Sequence, residues 1–138
     1  MESNDQLVVF EINKQKYALP IYNVSEIIHL MEVTKIPSMQ NYYKGIVNLR
    51  GLIIPVMSLS SRLGFKESEL EKDARIIVTE IGEKKIGLIV DGVSSVTRYS
   101  EDEFDAPESL EAESQFIKGI IRQENDMLLL LDLPSILN

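Results

Sequence analysis

The chain repeats itself. Shifting the sequence by 69 residues lays Val8 to Ile28 on Ile77 to Thr97 without a gap, and seven of those 21 pairs are identical: Val9/Val78, Glu11/Glu80, Ile12/Ile81, Lys16/Lys85, Leu19/Leu88, Val24/Val93 and Ser25/Ser94. A shift of 74 then lays Lys44 to Leu63 on Lys118 to Leu137, with six of 20 identical: Lys44/Lys118, Gly45/Gly119, Ile46/Ile120, Leu59/Leu133, Ser61/Ser135 and Leu63/Leu137. Composition alone would give roughly one or two identities per segment. The segments keep their order, and the loop between them absorbs the five-residue difference in shift. Two related halves, about 6–65 and 75–138, therefore constrain the fold: it is one that uses a single pattern of elements twice.

That pattern is mainly β. Leu7 to Ile12 and Lys16 to Ile21 are apolar runs separated by the turn residues Asn13-Lys14-Gln15, a hairpin signal. The second half repeats it with Ile76 to Ile81, Gly82-Glu83-Lys84 and Lys85 to Val90. Each half then adds two more strands, Gly45 to Leu49 with Leu52 to Met57, and Gly119 to Arg122 with Met127 to Leu131. The fold class expected is all-β, two small closed sheets as pseudo-symmetric barrel subdomains with short helical segments. Val24, Ile27, Ile28 and Met31 fall at helical spacing after Asn23 and predict a short helix or helical turn. Ser58 to Leu63, stopped by Gly64, and Asp132 to Leu137 predict two more. The polar stretches Lys66 to Asp73 and Ser100 to Gln115 read as loops. Pro20 and Pro55 lie inside strand-like runs and mark edges or bulges, because proline cannot donate to a ladder; blocking aggregation is the alternative use of such prolines.

Several chemistries are excluded or left without a motif. With 138 residues the chain has the size of one domain, and it holds no cysteine, so no disulfide, thiol nucleophile or Cys-based metal site is available. The 22 acidic against 14 basic residues give a net charge of −8 with no basic stripe, which argues against nucleic acid and anionic membrane as partners; an acidic surface also keeps a protein soluble. No apolar stretch has the length of a membrane span and no leader pattern opens the sequence, so a cytoplasmic protein without membrane insertion is expected. His29, the only histidine, has no nucleophile motif near it and reads as an ordinary partly exposed side chain rather than a general base. The glycines stand beside strands as turn or bulge residues and form no phosphate-binding pattern. The acidic run Glu101-Asp102-Glu103-Phe104-Asp105 lacks the ligand spacing of a calcium loop and reads as solvated. A non-catalytic protein without cofactor or metal is expected, with a ligand-binding or hydrolytic β-protein that uses the cleft between its halves as the competing class.

What remains is a binding surface. Asn48-Leu49-Arg50-Gly51 forms the turn between two strongly apolar strands, which would hold Arg50 on a rigid platform, either as a plain solvated arginine or as a partner contact. The second half carries Arg122-Gln123-Glu124-Asn125 at its turn, where Arg122 reads as the counterpart of Arg50.

The run Lys44-Gly45-Ile46-Val47-Asn48-Leu49-Arg50-Gly51-Leu52-Ile53-Ile54-Pro55-Val56 resembles the hallmark segment of CheW-like domains. Val24-Ser25-Glu26-Ile27, Ile89-Val90-Asp91-Gly92-Val93 and the Phe116 to Leu133 ending extend the likeness over essentially the whole chain. The resemblance implies two five-stranded barrels with a groove between them, no catalytic activity and no cofactor. It implies an adaptor, a monomer when free, that joins the regulatory domain of the histidine kinase CheA to the cytoplasmic tips of methyl-accepting chemotaxis receptors. The same domain occurs within the kinase and in CheV proteins, and the chain length points to the free-standing form, with a piece of such a longer protein as the alternative. It also assigns positions. Glu26 and Arg50 match receptor-binding positions, Arg75 and Val96 fall on the same face, and Val24 and Gly45 match positions tied to kinase binding.

Overall fold

The computed structural model describes residues 5–67, 69–106 and 115–138, and these described residues form eleven strands and two short α-helices. The first half contributes β1 (Gln6–Ile12), β2 (Gln15–Pro20), β3 (Val24–His29), β4 (Tyr43–Leu49), β5 (Leu52–Ser58) and helix α1 (Leu59–Arg62). The second contributes β6 (Arg75–Ile81), β7 (Lys84–Val90), β8 (Gly92–Arg98), β9 (Phe104–Asp105), β10 (Ile117–Gln123), β11 (Asp126–Leu131) and α2 (Leu133–Leu137). One sheet runs β8-β1-β2-β11-β10-β9 and the other β3-β6-β7-β5-β4. Replacing each strand by its partner in the other half converts the five-strand order into the first five strands of the other sheet. The duplication seen in the sequence is thus a duplication of topology, including the parallel pairings β2 with β11 and β7 with β5.

The expected pair of pseudo-symmetric subdomains is present, as sheets whose end strands do not pair to close a barrel. Each sheet is composite, because the opening hairpin of one half is completed by the later strands of the other. The first strands show why. Phe10 and Ile12 enter a central core while Leu7 and Val9 enter the core of the six-stranded sheet, so β1 is apolar on both faces and its sequence does not alternate. In β6 the same division puts Ile77 in the central core and Ile76 and Val78 in the core of the five-stranded sheet.

The two expected terminal helices form. Ser58 caps α1 by accepting from the Ser61 N–H at 3.1 Å, and Gly64 follows with φ +93°. Three other expectations are corrected. Val24 to His29 is a strand, not a helix, entered through a 3-10 turn at Ile21–Asn23; Ile27 is 40% exposed while Val24 and Ile28 pack inward, so the apparent stripe never shared one face. The Ser100 to Gln115 stretch is not wholly a loop, since Glu101–Glu103 forms a 3-10 turn capped by Ser100 and Phe104–Asp105 pairs with β10. Residues 107–114 of that stretch lie outside the described ones.

The prolines mark no edge, for β2 and β5 are both interior strands. Ile46 exchanges its N–H and C=O with Thr34, so it does not bond across to Pro55, and the missing N–H of Pro55 points toward β7, where the ladder begins only at Val56. Pro20 ends β2 beyond the two residues that pair with β11.

Candidate functional site

The turn joining β4 to β5 has two residues, Arg50 with φ +54° and Gly51 with φ +87°, the type I′ geometry that suits a tight hairpin. Asn48 closes it by accepting from the Gly51 N–H through Oδ1 at 2.8 Å. Arg50 thereby stands at a rigid tip. Its Nη2 donates to Glu26 Oε2 on β3 at 2.5 Å, across 24 residues of sequence. The two residues that the family resemblance matched to receptor-binding positions are therefore in contact. The arginine side chain is 68% exposed against 30% for the carboxylate, and Nη2 is its only nitrogen bonded among the described residues. Glu26 engages one nitrogen of the guanidinium and leaves its other donors available to a carboxylate or main-chain carbonyls of a partner. Beside the turn, Leu52 and Ile53 are 50% and 55% exposed. The sequence carried no signal that separates them from a buried strand, because a run such as Leu52-Ile53-Ile54 can equally be buried on both faces, as β1 is.

A cleft of about 250 Å³ separates the edge strands of the two sheets, lined on one side by Ile27 and Arg75 and on the other by Val93 and Ser94. Arg75 lies opposite His29 in the β3–β6 pairing and donates to the carbonyls of Lys72 and Ala74 at 3.0 and 2.8 Å. His29 is exposed, with no acid or nucleophile hydrogen-bonded to it among the described residues. Val96 is farther along β8, opposite Val8, and 54% exposed; it is outside the lining of this cleft. Ile27 and Val96 are counterparts under the internal repeat, so each sheet presents an exposed aliphatic side chain from its edge strand.

The two positions matched to kinase binding are set deeper. Val24 is half-buried against the central core. Gly45 is buried at a bulge in β4, with φ +141°, and a Cβ there would stand 2.0 Å from the Thr34 carbonyl oxygen. Neighbouring Lys44 pairs with Glu67 at 2.7 Å, and the bonds from Lys44 and Ser61 hold the Glu67 carboxyl below its ordinary value. Gly45 therefore shapes the strand behind a surface and presents no surface of its own.

Arg122 is not the counterpart of Arg50. It lies on β10 opposite Met127, and the repeat aligns it with Asn48, leaving Glu124 in the place of Arg50. Its Nε donates to Asp105 Oδ2 at 2.6 Å and Nη2 to the Asp102 carbonyl at 3.4 Å, which fastens the short β9 to the edge of its sheet. Sequence reasoning missed Arg62 altogether. Its guanidinium lies 4.5 Å from the centre of the Tyr42 ring and 4.8 Å from that of Phe116, and donates to the carbonyls of Ile136, Ser135 and Asn138. Tyr42 and Phe116 are counterparts in the repeat, and their carbonyls accept from the equivalent Ser58 and Asp132 N–H groups. One arginine thus clasps the two halves at their junction.

Among the described residues no group of side chains could hold a metal ion, and no helix is long and apolar enough to cross a membrane. The geometry offers an ion-paired arginine, exposed aliphatic residues and a polar cleft, which suit recognition of another protein.

Comparison with known proteins agrees. The CheW-like domain family matches residues 6–138. The chain is 31% identical to the chemotaxis protein CheW of Bacillus subtilis, over 100% of this chain and 90% of that one. It is 33% identical to the protein PilI of Pseudomonas aeruginosa, over 86% of this chain and 68% of that one. Among solved structures, the scaffolding protein TtCheW of Thermoanaerobacter tengcongensis superposes with a TM-score of 0.87 at 35% identity, over 94% of this chain and 90% of that chain.

Proposed function

The chain belongs to the CheW-like domain family, and on that premise we propose that it is a cytoplasmic adaptor that couples methyl-accepting chemotaxis receptors to the regulatory domain of the histidine kinase CheA. Its relatives support a chemotaxis scaffold as the general role; the two named partners are the finer reading. The observation that carries it is the contact between Glu26 and Arg50 at a rigid hairpin tip with exposed guanidinium donors. A receptor tip is a helical hairpin, and one of its helices laid across the edge strands would bury aliphatic side chains such as Ile27 and Val96, while Arg50 sets its register by hydrogen bonds to the helix. Arg75 flanks the same face from the cleft. Val24 and Gly45 act on the kinase contact from behind, by fixing how β3 and β4 are presented. The role requires no group transfer, since the chain would work by holding two partners together.

Titration supplies the test. The chain should bind a receptor-tip fragment and, with that fragment saturating, still bind the kinase regulatory domain. Mutually exclusive binding, or binding of neither, would overturn the bridging role.

A further inference from the structure

We propose that two copies of this chain can pair by exchanging halves, the first half of each copy completing both sheets with the second half of the other. The inference comes from the topology and is independent of the receptor and kinase reading. Four pairings join the halves: β1 with β8, β2 with β11, β3 with β6, and β5 with β7. Removed from its complement, the first half keeps only the β1–β2 and β4–β5 hairpins and an unpaired β3. A lone two-stranded hairpin is marginal in water, so each half is an incomplete fold with a specific complement. The central core has the same composite character, drawing Phe10, Leu19 and Met57 from one half and Ile77, Leu88 and Leu131 from the other. The Arg62 clasp also crosses between halves.

Against this interlocking, the covalent tie is slight. The described residues of the link, 66–67 and 69–73, carry no strand or helix, and their hydrogen bonds stay with the nearer half: Glu67 with Lys44 and Ser61, Glu71 with Ala74, and Lys72 with Arg75. An exchanged dimer would repeat every interface between the halves and alter only this segment. Mass action then decides. Closure within one chain wins until the protein approaches the effective concentration set by the linker, on the order of millimolar, and shortening a hinge shifts the balance toward exchange.

The absence of native cysteine makes the exchange readable by introduced pairs. Gln6→Cys with Arg98→Cys faces β1 to β8 across the halves, whereas Glu11→Cys with Lys16→Cys faces β1 to β2 within one half. Deleting Glu69 to Lys72 removes roughly 13 Å of reach. The shortened chain should elute at twice the parent mass and, on oxidation, run as a covalent dimer with the first pair and as a single chain with the second. A monomer, or a dimer whose first pair closes within one chain, overturns the proposal. Should the shortened chain fail to fold, the full-length pairs refolded under oxidation at increasing concentration decide. The ratio of interchain to intrachain disulfide should rise about tenfold per tenfold in concentration for the first pair only. A flat ratio, or an equal rise in both pairs, overturns it.

Discussion

Arg50 occupies a left-handed conformation that a hairpin of this type fills more cheaply with Asn or Gly. An arginine held there at a cost of about 1 kcal/mol points to a use for its side chain. Arg50→Asn should accordingly keep or slightly raise the melting temperature while weakening binding to a receptor-tip fragment roughly ten- to a hundredfold, the worth of one charge-assisted contact. Glu124→Ala, at the true counterpart, should change neither. An unchanged receptor affinity for Arg50→Asn would remove the assigned role. Gly45 and Gly119 provide a second comparison at this scale. A Cβ at Gly45 meets the Thr34 backbone under a positive φ, whereas at Gly119 its nearest neighbour is the Phe104 ring, a side chain, with the Asp105 carbonyl oxygen farther off at 3.1 Å. Gly45→Ala should thus cost more stability than Gly119→Ala, by roughly 1–3 kcal/mol, as measured by denaturant unfolding. Equal losses would mean that the Thr34 bridge gives way easily. The place of Arg50 at a hairpin tip was legible in the sequence because Asn48-Leu49-Arg50-Gly51 carries turn residues between two apolar runs. The burial of Gly45 was not, since Thr34 reaches it through a loop whose path no local pattern encodes.

Hairpins and the two terminal helices were legible as elements because each rests on local chemistry: alternating or continuous apolar runs, turn residues and caps. Strands β3 and β8 were not. In β3 the exposed Ile27 beside the inward Val24 and Ile28 imitates helical spacing, and in β8 the polar Ser94, Ser95 and Thr97 break the apolar run. The cover of β10 by β9 was likewise hidden, because it depends on Arg122 reaching Asp105. Arg122→Ala should therefore speed hydrogen exchange at the Phe104 and Asp105 amides and leave exchange in β4 unchanged. Protection of β9 equal to the parent would show that the Phe104 ring over Gly119 suffices. Arg62→Ala should cost about 1.5–3 kcal/mol, with Arg62→Lys recovering little of it because a point charge cannot keep the three bonds to main-chain oxygens and both ring contacts at once. Full recovery by lysine would reduce the clasp to simple charge.

At the scale of the molecule, the repeat in the sequence announced two equivalent subdomains but could not say how the halves are shared between them. Identity between segments records common ancestry of strands, whereas pairing depends on which hairpin meets which sheet. The internal symmetry is broken where function is proposed: Glu26 and Arg50 face each other in one half, and Ser95 and Glu124 stand at their counterparts in the other. A molecule built from two similar sheets can in this way offer different contacts to two partners. The most direct measurement is kinase activity in an array reconstituted from receptors, the kinase and this chain. Activity should rise well above that of the kinase alone only when the parent chain is present, and Arg50→Ala should abolish most of the rise while still binding the kinase regulatory domain. Full receptor control of the kinase without the chain, or undiminished with Arg50→Ala, would contradict the account.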